Sequence, residues 1–392
     1  MKYMRCGWVV VAIVLAAACT SQPSGATASE PQAAAPASAP KAPAFPVDPV
    51  YDEVASFLAG RPCGASPYKE FQETEEYKAY VTALDQSWAA MDAERLGPIA
   101  KWAPQEMPEA EAATTTVFYP FGGPDALTSI VLFPGAVRHL LLGLEFVGRM
   151  PEFKAGESSS AVRYIQNLQA ALGDFINKSY FITHRMDETL TGDKVDGVLP
   201  LLCFFLKRSN HTISSIKRLE LTATGEAVES PYPGETKKFR RPYGVRIAYF
   251  AEGTETLREL TYFSCDLEDK AFPKGKLLSA YLETVPFETT FVKSASYLMH
   301  YKEFSGIRDL ILTKSRFILE DDTGIPYKYF PANVWDVRMY GTFLPPVSDF
   351  KGVDQPDLRK VFEEPDRAKP LPFPLGYHWG TKKDALLYIV KK

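Results

Sequence analysis

Leu140-Leu141-Leu142-Gly143-Leu144 is a near-continuous apolar run. A strand without polar alternation must be covered on both faces, which requires a parallel or mixed sheet flanked by helices. The residues before it extend the argument. Thr114 to Tyr119 is β-branched and aromatic, as a strand should be, and Pro120-Phe121-Gly122-Gly123-Pro124 breaks it. Asp125 is suited to cap a short helix through Phe133, because its carboxylate can accept from the orphan N–H groups of a first turn. Pro134-Gly135 ends that helix. Strand, helix and strand on this scale predict a βαβ unit. The expected fold class is therefore α/β to α+β, a mixed sheet with βαβ-like units, a helical N-terminal cover and a disordered tether ahead of it.

The remaining elements follow from periodicity. Tyr77, Tyr80, Val81, Leu84, Trp88 and Met91 recur at helical spacing and predict a helix over Glu75–Leu96. A shorter helix around Val54, Phe57 and Leu58 stops at Gly60-Arg61-Pro62. Ser158-Ser159-Ser160 is expected to cap a long helix with Ile165, Leu168, Leu172 and Phe175 on its apolar side. Val198–Leu206 is apolar all round and reads as a buried helix. Arg246–Phe250 and Leu260–Cys265 read as antiparallel strands joined through Glu252-Gly253-Thr254. From Thr290 a second βαβ-like unit is expected: a strand running into His300, a helix over Ile307–Leu312 capped by Ser305, and a strand over Arg316–Glu320. Ala385–Val390 is a final strand.

The N-terminus is of another kind. Met1, Lys2 and Arg5 start it, Gly7–Leu15 is almost unbroken hydrophobe, and Ala16-Ala17-Ala18-Cys19 closes it. The run is shorter than the roughly 20 residues of a membrane span. It has the layout of a secretory signal whose cleavage site ends at a cysteine. It resembles a bacterial lipoprotein signal, in which Cys19 is lipidated and becomes the mature N-terminus. With Thr20 rather than Asp next to it, the resemblance implies the outer membrane, facing the periplasm or the exterior. The domains read as signal 1–18, lipidated cysteine and Ala/Pro/Ser-rich tether 19–48, and globular body 49–392. The body is long enough for two subdomains, about 49–215 and 216–392.

The chain carries 44 basic and 48 acidic side chains. Removing Lys2 and Arg5 with the signal leaves a net charge near −6, so no basic face for nucleic acid is expected. Cys63, Cys203 and Cys265 remain in a compartment that permits disulfides, and the spacing leaves open whether two of them pair. No Cys/His grouping suggests a metal, and no cofactor motif is present.

Two stretches could carry chemistry. In Phe118–Asp125 the paired glycines allow close backbone approach ahead of a helix N-terminus, but the spacing is no phosphate loop, and a tight turn with an Asp cap is the plainer reading. In Glu320-Asp321-Asp322-Thr323-Gly324-Ile325-Pro326-Tyr327 adjacent carboxylates could act as acid and base. The plainer reading is a β-turn with Gly324 at positive φ. His139 and His300 flank comparable apolar stretches, where partly buried histidines usually serve packing. Tyr327 and Trp335 belong to a late aromatic cluster on which a sugar could stack, although core packing is the commoner use.

The Tyr-Pro-Phe-Gly-Gly-Pro-Asp and Asp-Asp-Thr-Gly-Ile-Pro-Tyr motifs, with Leu144-Glu145 between them, resemble a family of bacterial lipoproteins, and the resemblance implies no activity. The expected function is a membrane-anchored envelope protein that binds a partner protein or glycan without catalysis. The alternative is a hydrolase of envelope material built from Asp125, His300, Asp321 and Asp322. The two differ in whether those side chains converge on one pocket.

Overall fold

A computed structural model describes residues 45–231, 242–350 and 352–392. Cys19 and most of the expected tether lie outside the described residues. Phe45–Asp48 already belong to the body. Phe45 packs on Phe250 at 5.4 Å, and Asp48 caps the Pro49–Leu58 helix by accepting from Val50 and Tyr51.

Among the described residues eleven strands form one mixed sheet. They are β1 (Thr116–Tyr119), β2 (Arg138–Gly143), β3 (His211–Leu221), β4 (Ala227–Glu229), β5 (Tyr243–Ala251) and β6 (Arg258–Ser264). Then follow β7 (Thr289–Val292), β8 (Phe317–Asp321), β9 (Trp335–Gly341), β10 (Ala368–Lys369) and β11 (Ala385–Lys391). Their order is β10-β9-β11-β8-β7-β1-β2-β6-β5-β3-β4. The middle five, β8 through β6, are parallel, and arms joined antiparallel extend on both sides, with the edge strand β10 parallel to β9. The expected boundary near residue 215 falls inside β3, and the first-half strands β1 and β2 lie between the second-half strands β7 and β6.

Burial explains the parallel centre. All of β1, β7 and β8 is buried, and so is β2 after Arg138. Successive residues feed opposite cores: Val117, Tyr119 and Leu141 join one, and Phe118, Leu140 and Leu142 the other. The helix between β1 and β2, Ala126–Leu132, packs into the first core through Leu127 and Ile130. The helix between β7 and β8, Ser305–Lys314, packs into the second through Ile307 and Ile311. The two connections run outward in opposite directions, and crossovers of one hand must then lie on opposite faces.

The helices over Pro49–Leu58, Ser158–Lys178 and Leu199–Arg208 form where the sequence predicts them. Several details differ. The Glu75 helix is α-helical to Met91, widens into a π turn over Asp92–Leu96 and continues as Gly97–Glu106. Ser158 does not cap: Glu157 precedes the helix, makes no side-chain cap, and the serines fill the first turn. Ser305 is likewise inside its helix, where Asp269 supplies the cap by accepting from the Gly306 amide at 2.8 Å and the Ser305 hydroxyl at 2.7 Å. The strand expected to reach His300 ends at Val292, because Lys293 turns inward to an ion pair and the next residues are pulled into a tight arc. Cys63, Cys203 and Cys265 are buried free thiols. Among the described residues no helix is long and apolar enough to cross a membrane.

Candidate functional site at the divergence of two crossovers

β1 and β7 lie side by side and parallel, yet the chain leaves β1 toward β2 and β7 toward β8. Loops that diverge in this way leave a crevice at the carboxyl ends of the strands, the usual ligand position in open α/β sheets. Here that crevice is a cleft of about 500 Å³.

The first loop, after β1, is the Tyr-Pro-Phe-Gly-Gly-Pro-Asp motif. Phe121 and Gly123 both take left-handed backbone, at φ 60° and 53°. Gly122 leaves room for the Tyr119 ring, since a Cβ there would stand 2.7 Å from it. The motif's close approach is thus to the protein's own tyrosine. Asp125 caps the following helix through the Thr128 amide at 3.1 Å and accepts from the Tyr119 hydroxyl at 3.1 Å.

The second loop, after β7, is an arc over 293–297. Lys293 pairs with Asp125 at 2.6 Å, with both side chains no more than 3 % exposed. Its ammonium also donates to the Ser179 carbonyl, and it lies 5.4 Å from the Phe175 ring centroid. Burial pulls Lys293 below its usual value, and Asp125 resists that fall. The pair cross-links the two loops at the cleft's base.

Ser294, Ser296 and Tyr297 are all left-handed, at φ 53°, 51° and 55°. Such backbone is costly for residues with a Cβ and persists only where the surroundings hold it. The acidic turn does the holding. Asp321 accepts from the Ser294 amide at 2.8 Å, Thr323 accepts from the Ala295 amide at 2.7 Å, and Asp322 accepts from the Tyr297 hydroxyl at 2.6 Å. Tyr377 closes the other side by donating to the Ser294 carbonyl at 2.9 Å. Gly324 has no positive φ. It is required because a Cβ would collide with the Glu320 carboxyl, which accepts from the Ile325 amide. Burial raises Asp321, and burial with the neighbouring Asp321 raises Asp322 to about 8.

The third contribution comes from the ends of β2 and β6. Glu145 is 9 % exposed and faces the cleft, held by Gly143 and Gly123, whose missing side chains leave room for its carboxyl. Tyr262 donates to the Glu145 carbonyl at 2.7 Å. Burial, with Asp187 adding to it, pushes the Glu145 carboxyl up to about 7. Tyr180, Phe350 and Tyr377 form an aromatic wall: Tyr180 stands edge-on to Tyr377 at 4.9 Å, and Phe350 stacks on Tyr377 at 5.3 Å.

The residues singled out from sequence are thus dispersed around the cleft. Asp125 lines it. Asp321 and Asp322 stand behind the arc. His300 packs edge-on against Tyr297 at 5.2 Å, and burial pulls it down to about 4. His139 begins β2, away from the cleft end, with its Nδ1 2.8 Å from the Ser129 hydroxyl, and burial pulls it down to about 3. Tyr327 donates its amide to Gln355, and Trp335 is buried against Phe330. Neither Tyr327 nor Trp335 lines the cleft. Glu145, Lys293 and Tyr180 were not singled out. Glu145 had a usable signal, a carboxylate two residues past a doubly buried strand.

Among the described residues no group of three or more His, Cys, Asp or Glu could hold a metal ion. No family model, curated protein or solved structure matches this chain.

Proposed function

We propose that this chain is an envelope lipoprotein, anchored in the outer membrane through Cys19, whose body binds a ligand in the cleft between β1 and β7 without transforming it. One observation carries the binding reading: a half-open cleft at the divergence of two crossovers, walled on one side by a loop whose strained backbone is fixed from behind. A pre-formed, mostly apolar cavity with a few convergent polar groups is the usual form of a small-ligand site. The ligand reaches the cleft free or as a projecting group of an envelope protein or glycan.

The hydrolase alternative has one point in its favour, the Ser294 hydroxyl, which is buried without a partner on a strained turn at the cleft. A serine nucleophile needs a base within hydrogen-bond reach. Among the described residues no histidine lines the cleft, and the ammonium of Lys293 is directed to Asp125 and Ser179.

Two experiments test the reading. Labelled palmitate fed to cells should mark the wild type and not Cys19→Ala; equal labelling removes the anchor. Leu144, 46 % exposed at the cleft rim, can be enlarged without entering the core. Small molecules released from protein purified from native membranes should include one that Leu144→Trp loses at unchanged thermal stability. Turnover of an ester or glycoside that Ser294→Ala abolishes would establish the hydrolase instead.

A further inference from the structure

The cleft has an unbalanced charge. Its acidic lining residues are Asp125, Glu145, Asp266 and Asp349, and its one basic lining residue among those described is Lys293. Lys293 is consumed by Asp125. Among the described residues, no basic side chain forms an ion pair with Glu145, Asp266 or Asp349. Glu145 is the telling member, because it is about nine-tenths buried, faces the cavity and has no cation beside it. A buried carboxyl is costly to charge unless it is paired. The walls add a second preference. The Tyr180–Tyr377–Phe350 group presents ring faces and edges at nearly right angles, and Phe121 and Phe304 add a further edge-on pair. Aromatic enclosures of this kind attract ammonium ions through the ring quadrupole.

We propose that the cleft selects a small protonated amine carrying an apolar body, with the ammonium seated between Glu145 and the aromatic wall and the body against the apolar lining. This rests on the reading of the cleft as a binding site. The ammonium supplies the cation that Glu145 lacks, and it shifts the carboxyl to its charged form on arrival. The apolar body displaces water from the surfaces of Ile182, Met186 and Leu298. An anion would face carboxyls with no free cation among the described lining residues to offset them.

The test uses full-length protein in detergent micelles and three probes of one shape at neutral pH: phenethylammonium, phenethyl alcohol and 3-phenylpropionate. Calorimetric titration should show the cation binding at least about tenfold tighter than the alcohol, with the carboxylate weakest. Glu145→Gln should remove most of that preference while leaving the alcohol's affinity within about twofold. Tyr180→Leu, at a half-buried position, is the second variant should Glu145→Gln fold poorly, and it should weaken the cation several-fold more than the alcohol. Equal binding of cation and alcohol overturns the charge selectivity and leaves the binding site standing. Cation preference that survives in both variants overturns the assignment to Glu145 and the aromatic wall. Absence of binding by all three probes overturns the cleft as a ligand site and this inference with it.

Discussion

Lys293 and Asp125 show how much one buried contact can decide. Each charge alone would be expensive in a site where both side chains are no more than 3 % exposed. Together they join the loop after β1 to the loop after β7, and Asp125 still caps its helix with the other oxygen. Lys293→Met should leave Asp125 buried and uncompensated, at a cost on the order of 3–5 kcal/mol. Adding Asp125→Asn should recover most of that loss, because asparagine still accepts from the Thr128 amide and carries no charge. Denaturant unfolding of the two single variants and the double variant measures the coupling. Additive losses in the double variant would show that the pair is not the cross-link described.

At the scale of elements, the cleft depends on one turn gripping one arc. Thr323 is central: its hydroxyl donates to Asp321 at 2.5 Å and accepts from the Ala295 amide at 2.7 Å. Thr323→Val keeps the volume and removes both bonds, so stability should fall by about 1–3 kcal/mol. Hydrogen exchange should quicken at the amides of Ser294 and Ala295 while β7 stays protected; uniform exchange across β7 and the arc would mean the grip is not local. Much of each partner was legible beforehand. Asp125 as a cap, the doubly buried β2 and the pairing of β5 with β6 are set by residues within a few positions of one another, so local chemistry suffices. The grip was not legible, because Asp321 and Ser294 are 27 residues apart and neither stretch shows what it faces. The same blindness made Gly324 a positive-φ glycine, when its real constraint is the Glu320 carboxyl reaching back over it. Serines before a helical pattern were read as caps, yet at Ser305 the cap comes from Asp269, 36 residues earlier in the chain. Glu145 stood beside a motif already in view, but its place in a cleft depends on β7 lying next to β1, which no local pattern fixes.

Across the whole molecule the sheet buries titratable groups of both kinds, and their opposition sets a pH profile. Burial pushes Glu145 and Asp384 up to about 7, and burial with the adjacent Asp321 brings Asp322 to about 8. Burial pulls His139 down to about 3 and His211 and His300 to about 4. The raised carboxyls hold protons in the folded state that the unfolded chain releases near pH 4, so raising the pH through 7 to 8 costs stability. The depressed histidines act the other way: the unfolded chain binds their protons below about pH 6.5, so lowering the pH costs stability. Between about pH 4 and 6.5 the two sets oppose one another. Above about pH 6.5 the histidines are neutral in both states and only the carboxyls still act. Thermal melts should therefore fall by several degrees between about pH 6.5 and 8.5 and level off beyond, since each proton of difference is worth about 1.4 kcal/mol per pH unit. Glu145→Gln should make that fall shallower, because the amide has no proton to lose. A melting temperature that rises over this interval, or a Glu145→Gln profile as steep as the wild type, would show that the carboxyl facing the cleft is charged in the folded protein at neutral pH and already has a partner.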